Sequence, residues 1–237
     1  MLIYRYLFSL ILFPGLLSLQ AQEVEDPYSV PMDTTIKHQG QIIPTGLRVG
    51  FDVLGLALGA NSSKRDYYEG EVDIDFNNFN LTVEAGKQTF QENLVANYSS
   101  TGTYYRIGPD ANFLTASKEL NQFFFGIRYS FASYEEAVQG SIDGKNYGNI
   151  PVDVVLKNST TRWLELTSGV KVRMFNQLFM GYTARFRFGR TSDDPQRKLQ
   201  PYYIPGYGLA DQANTWFFNY YIFYRFQWKK KIIKYNK

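Results

Sequence analysis

Three acids stand at every second residue, Glu71, Asp73 and Asp75, and a fourth, Glu84, follows across a short break. On an extended chain that spacing puts all of them on one face. Arg48 and Asp52 precede them on the same inner face, and Arg106, Arg128, Lys171, Arg185, Arg187 and Arg225 follow, with Glu165 among them. Such a set has three chemical uses: ion pairing, conduction of ions or protons, and cation binding. Calcium is a poor fit, because neither SIDGKNYGN nor the Asp73 and Asp75 pair has a bidentate Glu at the required offset. A hydroxyl nucleophile needs a base beside it, and the single histidine, His38, lies far from the patterned segments. There is no cysteine and no glycine-rich phosphate loop, so the sequence offers no thiolate metal site, disulfide or lipid-modified Cys. We therefore assign no catalytic residue, cofactor or metal, and expect a protein that is not an enzyme.

The elements that carry these charges are strands. In LFMGYTARFRF, Leu178 to Phe188, the residues Leu178, Met180, Tyr182, Ala184, Phe186 and Phe188 share one face, and Gly181, Thr183, Arg185 and Arg187 share the other. The same alternation marks Gly46 to Val53, Tyr68 to Phe76, Phe79 to Gly86, Thr103 to Gly108, Gln122 to Ala132, Arg162 to Val172 and Thr215 to Phe226. Asn77 and Asn78, and later Asn176 and Gln177, read as two-residue turns. LGLALGA, after Asp52, reads as an apolar turn or short helix. The stretch from Gln88 to Gly102 reads as a polar loop, and the weak patterns at Ala137 to Ile142 and Ile150 to Leu156 read as a protruding hairpin.

No amphipathic helix is available to cover the apolar faces, and aromatics make up 17% of the chain although its mean hydropathy is −0.31. That combination fits strands with lipid outside and a polar lumen inside. The expected fold is all-β, a transmembrane antiparallel up-and-down β-barrel of about eight strands. In the soluble alternative, a sandwich or lipocalin-like barrel, Phe123, Phe125, Tyr129, Phe131, Trp216, Phe218, Tyr220 and Tyr224 would overfill a small interior.

The first residues place one Arg before an apolar run from Leu7 to Leu19, and Ala21 precedes QEVED. This reads as a signal peptide, residues 1–21, the run being short of the roughly 20 residues a spanning helix needs. Residues 22–44 read as a periplasmic N-terminal arm, 45–228 as the barrel and 229–237 as a basic C-terminal tail. With a net charge of +3, mostly dispersed, no nucleic-acid partner is expected. An eight-strand lumen is only wide enough for side chains to fill it, so the inward charges should pair and plug it rather than conduct.

GLRVGFD, FFFGIRYSF, RWLELTSGVKV, NQLFMGYTARFRF and YIPGY together resemble an uncharacterised group of Bacteroidota outer-membrane proteins catalogued as a domain of unknown function. The resemblance covers the mature chain and implies an outer-membrane barrel in a Gram-negative bacterium, without an established activity. Function then falls to the long connections, Ser133 to Thr160 and Thr191 to Asn214, through contacts with outer-membrane lipid or a protein partner, for instance as an accessory subunit of an assembly or export machine. Tyr147, Tyr202, Tyr203 and Tyr207 are the candidate contact residues there, with packing of the loops on themselves as the alternative. A narrow channel is the second functional reading, and a lipid-modifying enzyme the third.

Overall fold

A computed structural model describes residues 44–228 apart from 63, 77, 94–95, 116, 144–147 and 193–199. The signal peptide, His38, most of the N-terminal arm, Asn77, Tyr147 and the basic tail therefore lie outside the described residues. The elements are β1 (Gly46–Asp52), α1 (Val53–Ala60), β2 (Arg65–Asp75), β3 (Phe79–Asn93), β4 (Asn97–Asn112), β5 (Gln122–Asp143), β6 (Asn149–Phe175), β7 (Leu178–Ser192), β8 (Tyr203–Ile204), β9 (Gly208–Leu209) and β10 (Thr215–Gln227).

Eight of the strands form one antiparallel up-and-down sheet that closes on itself, in the order β1-β10-β7-β6-β5-β4-β3-β2. The first strand joins the last: Gly46 pairs Gln227 on one side and Asp75 on the other. Closure leaves no free edge around the ring, which removes the hazard of unpaired strand backbone. One end carries the start of β1, the finish of β10 and the short links at 76–78, 113–121 and 176–177. The opposite end carries α1, the outer ends of β3 and β4, those of β5 and β6, and residues 200–214.

Period-two patterning decides what points where. Phe51, Val72, Val83, Ile107, Ile127, Leu166 and Ile222 face outward and are exposed, whereas Arg48, Glu71, Glu84, Arg106, Arg128, Glu165 and Arg185 are buried inside. Glycine on the inner face makes room for rings. A Cβ on Gly86 would stand 2.2 Å from the Tyr104 ring, and one on Gly50 would stand 2.2 Å from Phe223. Among the described residues no helix is long and apolar enough to cross a membrane.

One local expectation needs correction, and two others are met. The stretch 88–102 is not a loop but the tip of a strand hairpin, in which Phe90 pairs Ser100 and Gln91 pairs Ser99. Its Thr, Ser and Gln side chains are polar yet fit a strand, and Phe90 and Tyr98 alternate inward to a buried cluster with Tyr203. The patterns at 137–142 and 150–156 form the expected hairpin, as the outer ends of β5 and β6 beyond a register shift between Tyr134 and Glu136. LGLALGA takes the short-helix form of its reading, α1, which Asp52 caps by accepting the Leu54 N–H at 3.2 Å. The Asn176–Gln177 turn forms where the sequence places it, with Asn176 at φ 47.

Candidate functional site: the charged lumen and its lid

Every charge that the sequence places inside is at most 3% exposed. Near the turn end, Arg225 Nη2 lies 3.1 Å from Asp75, and Arg48 Nε donates to both oxygens of Asp73 at 2.8 and 3.0 Å. Lys171, on the far wall, bridges Asp73 and Glu71 at 2.5 Å each while its ammonium sits 4.6 Å from the centre of the Phe223 ring. Asn80 and Gln122 exchange amide hydrogen bonds beside them.

In the middle, Arg128 grips Asp110 with two nitrogens at 2.7 and 2.8 Å, and Thr82 donates to the same carboxylate. Glu84 is the hub. It receives Arg185 at 2.8 Å, Arg106 at 2.9 Å and Arg128 at 3.2 Å, three cations from three strands. One step nearer the lid, Glu69 accepts from Arg106 at 2.8 Å and from the hydroxyls of Tyr67, Tyr104 and Tyr221. Glu165 meets Arg106 at 3.0 Å, Arg185 at 3.2 Å and Arg187 at 3.4 Å, and takes the Trp163 indole N–H at 2.7 Å. Asn219 ties this layer to Asp52, donating at 2.6 Å.

Nine carboxylates and seven cations are buried among the described residues. A lone buried charge costs several kcal/mol of lost hydration, and only mutual pairing with good geometry offsets that. Shared partners meet the requirement here, since Glu84 and Arg106 each serve several neighbours. The chemistry that results is structural: the side chains cross-brace opposite walls and fill the axis. Among the described residues no group of His, Cys, Asp and Glu is arranged to hold a metal ion.

The lid was not foreseen. After the undescribed stretch, β8 and β9 make a tight hairpin, Tyr203 to Leu209 and Ile204 to Gly208, turning through Gly206 at φ 79. Ile204 and Tyr207 are fully buried against Tyr67, Tyr104, Tyr134 and Trp163. Gly206 lies over the Tyr104 ring, so close that a Cβ would come within 2.5 Å of it. Wall residues hold the hairpin by its backbone: Arg106 Nη2 donates to Gly206 O at 3.1 Å, Arg187 Nη1 to Tyr207 O at 2.8 Å and Ser100 to Tyr203 O at 2.9 Å. Gln88 both donates to the Tyr203 hydroxyl and accepts the Gly206 N–H.

This corrects two of the proposed contact residues. Tyr203 is 5% exposed and Tyr207 is wholly buried, because their rings fill the mouth of the ring instead of facing a partner. Tyr202 keeps 37% of its surface and donates to Glu92 at 3.0 Å, a hydrogen bond that raises its phenol above the ordinary range.

The sequence reading missed Glu69, Asp110 and Asn219. Glu69 lies inside the Tyr68 to Phe76 strand and shares the parity of Glu71, Asp73 and Asp75, so the signal that places it inward is present in the sequence. Asp110 shares the parity of Arg106, but Pro109 made the strand look finished, whereas β4 continues to Asn112. Asn219 is uncharged and stands among aromatics, so nothing in its type marks it as part of a charge network.

No curated protein and no solved structure matches the chain. Residues 3–231 match a family described as a domain of unknown function (DUF6048), and the chain belongs to that family.

Proposed function

We propose that this protein is an outer-membrane β-barrel of a Gram-negative bacterium, of the Bacteroidota, with a closed lumen, acting in structure or partner binding through its lid-side end. The observation that carries the proposal is the pairing of two faces on the same strands. Outside, apolar side chains on all eight strands are exposed, among them Phe51, Val72, Val83, Ile107, Ile127, Leu166, Tyr182 and Ile222. Inside, the charges are buried and pair with one another across the lumen. A soluble monomer rarely exposes apolar surface so continuously, and lipid is the solvent that rewards it.

Outer-membrane barrels have short periplasmic turns and longer external connections. The two tight links, the start of β1 and the finish of β10 then face the periplasm, and the lid with the β5–β6 hairpin faces outward. β5 and β6 run on to Asp143 and from Asn149, past the last β7 pairing at Thr161–Ser192, which makes that hairpin the natural arm for a protein neighbour in the membrane. A catalytic step forms no part of this proposal.

Three measurements test it. Purified protein should migrate faster on gels unheated than heated, and should give no steady conductance in a planar bilayer. Steady conductance that changes with Asp73→Asn or Arg185→Gln would overturn the closed lumen. Crosslinking in membranes from a reactive group placed at Val154 should capture a protein neighbour, and recovery of none would remove the partner role.

A further inference from the structure

We propose that the recess beneath the lid binds one sugar residue carrying an anionic group, a carboxylate or a phosphate. The inference does not depend on membrane insertion, since it rests only on the mouth of the ring. A partly enclosed cavity of about 160 Å³ lies there, bordered by Arg65, Gln88, Arg187, Tyr203, Tyr207 and Phe217 among others, and no carboxylate lines it. That space is smaller than the roughly 300 Å³ at which drug-sized pockets begin, and suits a single small polar group or ring.

Arg187 is the built element. It is 3% exposed and positioned by the Phe217 ring, 4.3 Å from its guanidinium. Nη1 is used by Tyr207 O, while Nε, 3.4 Å from Glu165, is buried without a hydrogen-bond partner among the described residues. Arg65 supplies a second cation, held over the rings of Phe90 and Tyr203 at 5.2 and 5.9 Å with no ion pair among the described residues. Two guanidiniums with open donors suit an oxyanion, which they can bind through charge-assisted hydrogen bonds. The remaining border combines aromatic faces with the amides of Gln88 and Gln212, the pairing of apolar plane and hydrogen-bonding edge that a sugar ring presents in complement. A free inorganic ion would leave the aromatic half of that border unused.

Calorimetric titration of the full-length protein in detergent decides the matter, with glucuronate, glucose 1-phosphate, glucose and inorganic phosphate as probes. Saturable binding of glucuronate, glucose 1-phosphate or both is expected, with glucose and inorganic phosphate each at least tenfold weaker. Which of the two anionic sugars binds more tightly identifies the acid group. Arg65→Gln should weaken that binding tenfold or more with heat-modifiable migration unchanged, and Arg187→Lys, which retains the charge but loses the fork, should weaken it as well. Equal binding of glucose, equal binding of inorganic phosphate, or no binding of any probe would each overturn the proposal. So would full affinity in folded Arg65→Gln protein.

Discussion

The middle of the lumen and its turn end are built from the same residue types, yet they are satisfied to different degrees. Around Glu84, arginines from β4, β5 and β7 converge on one carboxylate and extend to Glu69, Glu165 and Asp110. At the turn end Arg48 and Arg225 face each other across paired strands, and each meets a single acid. Nη1 and Nη2 of Arg48, and Nε and Nη1 of Arg225, are buried without a hydrogen-bond partner in the described structure. Interlocking, rather than the number of charges, separates a braced layer from a looser one. A carboxylate shared by three cations cannot be removed without costing each of them a partner.

The contrast can be broken most directly at the hub. Glu84→Gln keeps the shape and removes the charge, so three arginines lose their common partner; unfolding in urea with detergent should show a loss of about 3–5 kcal/mol. A loss under about 1 kcal/mol there would mean that the middle is no better braced than the end. Ile204→Ala empties a fully buried site in the lid and should cost about 2–4 kcal/mol, seen chiefly as faster backbone hydrogen exchange at 203–209 while the wall stays protected. Uniform acceleration around the ring would show lid and wall to be one cooperative unit. Gly86→Ala pushes a methyl into the Tyr104 ring and should cost about 1–3 kcal/mol in the same urea assay. The smallest effect is expected for Arg225→Gln, about 1 kcal/mol or less, because it removes unsatisfied donors along with one ion pair. If Arg225→Gln matched Glu84→Gln, the distinction between the two layers would fail.

The wall was legible because period two is a local signal. Leu178 to Phe188 announces both its faces without help from the rest of the chain, and the inward charges of seven other strands follow from parity alone. Strand ends were harder to read. Polar Thr and Ser at 99–103 resemble a loop until Phe90, Tyr98 and Tyr203 are seen to stack, and Pro109 hides Asp110 although β4 runs through it. The lid was the least legible part. Tyr203 and Tyr207 sit in a long connection rich in turn residues, and nothing local tells a ring that plugs a mouth from one that meets a partner. The deciding contacts with Gln88, Ser100 and Arg106 come from residues about 100 positions away.

The seam between β1 and β10 has a consequence for biogenesis. Residues 46–52 obtain their second neighbour only from residues 221–227, so the first strand waits for the last. A chain stopped before Thr215 would leave both β1 and β7 with raw edges, and no rearrangement of the other strands could supply the missing one. Closure of the seam thus serves as a completeness check, made late because its contacts are the most distant in sequence. A nascent chain that fails it stays open, sticky and recognisable to whatever removes unfinished proteins.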